Sequence, residues 1–219
     1  QAKLPAIQAS YPEFIAWEQD FVQSNAFKQQ LAWWKDTLSP IPEPLNLPSD
    51  RRRSPTNDFA GASYNLVLNP AQTAQMRGLA RQLKTTPFMV LYALYNTLIY
   101  TLSRQQDVCI GIPFDRRSNG HFERTVGMFA QTLAIRTQIN PENGFDQLTK
   151  QVVQQCSSAY THCNTPLEYI VEALDVKRDI SRNPLFDTLF IYETGDRRLQ
   201  QAARSEEHTS ELQSHRSIS

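Results

Sequence analysis

Apolar side chains at Phe14, Trp17, Phe21, Leu31, Trp34 and Leu38 recur at spacings of three, four and multiples of seven. That pattern predicts one long amphipathic helix over residues 12–38. Pro40, Pro42, Pro44 and Pro48 follow. Each lacks a backbone donor and restricts its predecessor, so residues 39–61 read as an extended connector. Tyr64, Leu66 and Leu68 alternate with Ser63, Asn65, Val67 and Asn69, as on a strand. Asn69-Pro70 then supplies a cap and a first helical residue for a helix to about Lys84. Thr86-Pro87 repeats the signal, and Phe88, Leu91, Tyr95, Leu98 and Leu102 predict a strongly buried face on the helix that follows.

Residues 108–114 and 129–137 read as strands, and Phe145, Leu148, Val152 and Cys156 line a further helix. A short helix is expected over residues 167–174 behind Pro166, then a buried strand over residues 185–192. Helices alternating with strands make the class α/β, with helices packed on a mixed β-sheet. A chain of 219 residues would ordinarily close one core. Here it begins on a lone helix and stops on an apolar strand, so both ends read as cut. Residues 204–219 differ from the rest: they carry no apolar period and back-translate into a string resembling a widely used sequencing adapter. Function is therefore argued from residues 1–203, with 204–219 expected to be a disordered appendage.

Charge removes several function classes. Twenty-two basic residues balance 22 acidic ones, so no overall field draws the chain to nucleic acid or an anionic membrane. Arg51-Arg52-Arg53 is read as a solvated loop. The apolar stretch at residues 88–100 is too short and too polar to span a bilayer. Three cysteines in no framework spacing, and no signal peptide, point to a reduced, cytoplasmic protein. His162 and Cys163 with Cys156 lack the paired spacing of a metal site, and none is expected. The chain holds no G-x-S-x-G elbow and no glycine-rich phosphate loop.

Four blocks stand in fixed order: YPEFIAW at residues 11–17, IGIPFDRR at 110–117, VGMFAQTLAIR at 126–136 and KRDISRNPLFDTLF at 177–190. Singly each has an ordinary structural explanation. Together they resemble the condensation domains of nonribosomal peptide synthetases, and specifically their second half. The connector around residues 47–61 and PLEYIVEAL at 166–174 strengthen the resemblance.

The resemblance implies a two-lobed domain, each lobe similar to chloramphenicol acetyltransferase, of which this chain would be the incomplete second, C-terminal lobe. It implies amide formation between carrier-tethered thioesters, with no cofactor bound directly and substrates delivered on phosphopantetheine arms. The partners implied are carrier protein domains, an adjacent adenylation domain and the N-terminal lobe. That lobe holds the family's H-H-x-x-x-D-G motif. This chain has only His121, His162, His208 and His215, with no adjacent pair, so no catalytic residue is expected in it. In the family the arginine ending the I-G-x-P block pairs with the motif's aspartate, and Arg117 matches it. Gln131 stands where many relatives carry asparagine, and is a candidate to face the substrate tunnel. Tyr11 and Trp17 are expected to pack their helix onto the sheet. Gly111, Pro113, Gly127, Arg136, Arg178, Asp179, Ser181, Arg182, Asn183 and Pro184 match signature positions and are read mainly as structural locks. Two alternatives stay open: a catalytically silent module that docks carriers, and an ester-forming acyltransferase of the same superfamily.

Overall fold

A computed structural model describes residues 8–50, 61–117, 120–177, 179 and 181–193. Arg178, Arg51-Arg52-Arg53 and the tail at 204–219 lie outside the described residues. The chain opens on α1 (Tyr11–Val22) and α2 (Asn25–Leu38). These are two helices where the periodicity predicts one. Ser24 is the reason: its backbone is extended and its hydroxyl accepts from Phe27 N at 3.1 Å, capping a new helix rather than continuing the old. At the start of α1, Glu13 accepts from Ser10 N at 2.6 Å and Ser10 Oγ at 2.7 Å. Those two bonds hold the Glu13 carboxyl below its ordinary range.

Residues 61–69 carry no ladder and every one is exposed, Tyr64 to 91%. The strand predicted there does not form, because an extended segment needs a paired edge and none lies beside it among the described residues. The next two caps hold. Asn69 caps α3 (Pro70–Gln82), its side chain accepting from Gln72 N at 2.8 Å, and Thr86 caps α4 (Pro87–Ser103). The buried face of α4 matches the predicted one only in part: Phe88 and Tyr95 pack half-buried against the core, but the most deeply buried residues are others. Val90, Tyr92, Ala93, Asn96 and Ile99 are buried, whereas Leu94, Leu98 and Leu102 are about half exposed. The helix is apolar nearly all round, so more than one stripe fits a 3.6-residue period. Asn96, buried in the core, donates from Nδ2 to Tyr92 O at 2.9 Å, while its Oδ1 has no hydrogen-bond partner among the described residues.

Three strands complete the framework: β1 (Asp107–Asp115), β2 (Ala130–Gln138) and β3 (Thr188–Leu189), in the order β2-β1-β3. β2 pairs antiparallel with β1, with Ile110 opposite Ile135, and β3 pairs parallel at Ile110 and Gly111. The sheet is mixed, as predicted. The strand predicted over 185–192 is cut to two paired residues. Phe190 N donates to Gly111 O at 2.9 Å, and the next rung would need an N–H at position 113. Pro113 has none, so the ladder stops.

Between β2 and β3 lie α5 (Phe145–Thr161) and α6 (Leu167–Ala173). One face of the sheet, carrying Val108, Ile110 and Ile112, joins Tyr92, Leu148, Val152 and Cys156 in a single core. Phe114 stacks on Tyr160 at 5.1 Å, and Thr137 Oγ1 donates to Gln155 at 3.0 Å, fixing α5 across that face. On the opposite face Leu45 N donates to Asp187 at 2.8 Å, bringing the proline-rich connector against residues 185–187. Trp34, fully buried, donates from Nε1 to His162 O at 2.9 Å and locks α2 to the end of α5.

Candidate functional site

β1 and β2 run side by side, with Phe114 opposite Gln131 and Asp115 opposite Ala130, and Arg116 and Arg117 follow at that end of the sheet. Arg116 N donates to Phe129 O at 3.1 Å, which carries the pairing one residue past the strands. Between them the chain loops out through Phe122 and back through Gly127. This loop packs on α1: Phe14, Phe122 and Phe129 form a second, smaller core with Tyr11 and Trp17 at its margin. Tyr11 meets Phe129 edge-on at 5.4 Å and donates from its hydroxyl to Met128 O at 3.0 Å. Trp17 stacks between Phe14 and Phe21, at 5.7 and 5.5 Å. Both residues thus pack on the loop and its flank rather than on the broad face of the sheet.

Two motif glycines are sites of close approach. A Cβ on Gly127 would sit 2.2 Å from the Tyr11 ring, and one on Gly111 would sit 2.6 Å from Leu189 and 2.8 Å from Phe186. Neither position has room for a side chain.

Arg117 lies at the tip, 31% exposed. Its Nη1 donates to Asp115 Oδ2 at 2.8 Å and its Nη2 to Gly127 O at 3.2 Å. The guanidinium carbon lies 4.4 Å from the centre of the Phe129 ring. Asp115 is 56% exposed, so this pair sits in solvent and is weak. Beside it Val126 and Met128 are strongly exposed, giving the tip an apolar rim.

Gln131 points away from the tip. Its Nε2 donates to Cys163 O, and to Thr165 O at 3.4 Å, tying β2 to the corner between α5 and α6. Its Oε1 is buried without a hydrogen-bond partner among the described residues. Arg136 binds Asp107 with two nitrogens, Nε at 2.9 Å and Nη2 at 2.7 Å, and donates to Thr37 O at 3.2 Å. The hydrogen bond to Asp107 raises the Arg136 pKa still further. Around β3, Asp179 Oδ1 accepts from Ser181 N at 2.8 Å, and Asn183 Oδ1 accepts from Leu185 N at 3.1 Å. Arg182 lies 3.6 Å from Asp179 and 3.9 Å from Asp187, with Pro184 half-buried next to Leu185.

Arg116 has no place in the sequence-derived set, yet it is the more deeply held arginine, 8% exposed and paired with Glu18 of α1. Its signal in the sequence is weak: adjacent arginines at a strand end do not say which one turns inward. The three thiols are chemically quiet. Burial pushes Cys109 and Cys156 up to about 12 and raises Cys163 as well. His162 stacks on the Trp33 ring at 4.0 Å, and among the described residues no three His, Cys, Asp or Glu side chains gather as a metal site would need.

A family model described as Condensation domain matches residues 1–219. Tyrocidine synthase 3 of Brevibacillus parabrevis is 40% identical over 190 residues, which cover 87% of this chain and 3% of that synthase. The chain therefore spans a small part of the curated relative it matches. The X-domain from teicoplanin biosynthesis superimposes with a TM-score of 0.78 at 20% identity, over 85% of this chain and 43% of that one. A four domain nonribosomal peptide synthetase bound to AMP and glycine gives 0.69 at 26% identity, over 75% of this chain and 12% of that one. The helices on a mixed sheet are the chloramphenicol acetyltransferase-like arrangement of these domains, present here in part. The ordered motifs, the architecture and the match over the whole sequence agree: this chain belongs to the condensation-domain family of nonribosomal peptide synthetases, and covers part of such a domain.

Proposed function

We propose that the chain is the C-terminal lobe of an amide-forming condensation domain, contributing support rather than the reacting base. In that reaction the acceptor's amine nitrogen bonds to the donor's thioester carbonyl carbon. The carbon–sulfur bond breaks, the amine gives up a proton, and the departing sulfur becomes a thiol. Both substrates would arrive on phosphopantetheine arms of carrier domains, next to an adenylation domain in the same synthetase. The base belongs to the H-H-x-x-x-D-G motif of the N-terminal lobe, and this chain has no adjacent histidine pair. The isolated chain should accordingly be inactive. Three free, buried cysteines accord with a reducing compartment such as the cytoplasm.

One observation carries the reading. Arg117 ends the motif strand with a partly exposed guanidinium in a solvent-facing pair, beside the apolar rim of Val126 and Met128. Because its pair with Asp115 lies in solvent, this cation can exchange Asp115 for a carboxylate on a docking lobe while Gly127 O and the Phe129 ring keep it in place. There it would form a fork of two parallel bonds and fix the histidine loop in place. In a complete condensation domain carrying this lobe, Arg117→Ala should lower turnover roughly 100-fold, the scale expected from ångström misplacement of a reacting group. Single-turnover assays with carrier-loaded donor and acceptor measure it. Undiminished turnover discards the role given to Arg117.

A further inference from the structure

Arg117 is bound by a loop that is itself pinned to α1. Thr125 Oγ1 donates to Ala9 O at 2.6 Å, and Tyr11 Oη donates to Met128 O at 3.0 Å. Phe122 meets Phe14 edge-on at 5.3 Å. Arg117 in turn donates to Gly127 O at 3.2 Å and Thr125 O at 3.5 Å, two carbonyls of this pinned loop. The buried fastening beneath these contacts is Arg116. Its Nη1 pairs with Glu18, itself 24% exposed, and its guanidinium carbon lies 5.0 Å from the centre of the Phe14 ring. Arg116 Nε is buried without a hydrogen-bond partner among the described residues. The residue thus forgoes a hydrogen bond to hold this geometry, whereas an arginine serving only solubility would turn outward.

Arg116 and Arg117 follow the last residue of β1, and the rings they lie over, Phe14 and Phe129, are themselves in contact with centroids 4.5 Å apart. Arg116, held on α1 by Glu18 and joined through its backbone N–H to Phe129 O at 3.1 Å, therefore sets where Phe129 offers its ring to the Arg117 guanidinium. From this geometry we propose that Arg116 and Glu18 are positioning residues. Their buried pair fixes the direction in which Arg117 projects from the tip of β1. The functional part of this inference rests on the role proposed above for Arg117; the structural part does not.

Two measurements separate these parts. In the full chain, exchange of the Arg117 Nη protons, which carry its bonds to Asp115 and Gly127, is followed by NMR in wild type, R116Q, R116K and E18Q, each checked for folding by near-ultraviolet circular dichroism. Loss of the pair should speed that exchange about ten-fold in R116Q and E18Q, as local protection is released, with partial recovery in R116K. Unchanged Arg117 exchange in folded R116Q overturns the proposal. If R116Q does not fold, E18Q, which keeps Arg116, decides in the same way. In a complete condensation domain, R116Q should lower kcat about ten-fold at constant KM, the scale of losing a group that orients a functional one. It should lower kcat no further in an R117A background. An equal loss in both backgrounds would mean a general structural role and overturn positioning. If R117A alone leaves turnover unchanged, the role proposed for Arg117 fails, while the exchange measurement still decides whether Arg116 directs it.

Discussion

Gly127 meets the Tyr11 ring so closely that a methyl group there would lie 2.2 Å from Cδ2. The glycine and the tyrosine sit 116 positions apart, and their contact closes the small core between α1 and the loop. Gly127→Ala should destabilise the chain by about 1–3 kcal/mol, the usual cost of overpacking. The melting temperature would fall by roughly 2–4 °C per kcal/mol for a chain of this size. Thermal unfolding followed by circular dichroism tests this, and a melting temperature within a degree of wild type would contradict the contact. The ordered motif VGMF marks Gly127 in the sequence, but only the fold names Tyr11 as the reason. Arg136 behaves similarly: the motif marks it, while its fork on Asp107 depends on β1 lying beside β2.

At the scale of elements, α4 separates what periodicity can and cannot say. Its cap at Thr86 and its start at Pro87 were legible, because capping is chemistry between neighbours in sequence. Its buried face was legible only in part, because Leu91, Leu98 and Leu102 make as regular a stripe as Val90, Ala93 and Ile99. Ile99→Ala should cost about 2–5 kcal/mol, whereas Leu98→Gln, at a half-exposed position, should stay within about 0.5 kcal/mol. Urea unfolding of both variants settles the face: a larger loss at Leu98 would restore the stripe predicted from sequence. The same limit applied to residues 63–68, where alternation specifies a willing strand but cannot supply its partner. It applied to β3 as well, where Pro113 on another strand ended the pairing.

For the molecule as a whole, the larger core buries all three cysteines, while several large apolar side chains stay outside both cores. Burial holds Cys109 and Cys156 up to about 12. At pH 8 their thiolate fraction in the native state is therefore far below that of a free cysteine near its ordinary pKa of about 8.5. A thiol-reactive reagent at pH 8 should modify none of the three quickly in the folded chain and all three after unfolding in guanidinium. Raising the pH from 8 to 10, still below their pKa of about 12, should multiply the native thiolate fraction of Cys109 and Cys156 roughly tenfold per pH unit, from a very low starting level. Mass spectrometry of the labelled protein counts them, and rapid native labelling of Cys109 or Cys156 would mean that the core is loose. Outside those cores, Tyr64, Leu66, Val67, Leu98, Val126, Met128 and Ile191 are each about half exposed or more. This accords with a chain that covers part of its family's domain.

The amino-acid sequence alone determined the class, the element order from α3 onward, three helix starts and the family. Each of these depends on neighbours along the chain or on motifs held in order. It also singled out Arg117, through its place at the end of a motif. The tertiary structure decided which stripe of α4 is buried, where β3 stops, and why Gly127 and Gly111 bear no side chain. It also decided which of two adjacent arginines is clamped by Glu18 and which is left projecting. Those outcomes turn on residues far apart in sequence competing for the same space and the same hydrogen bonds, and that competition exists only once the chain has folded.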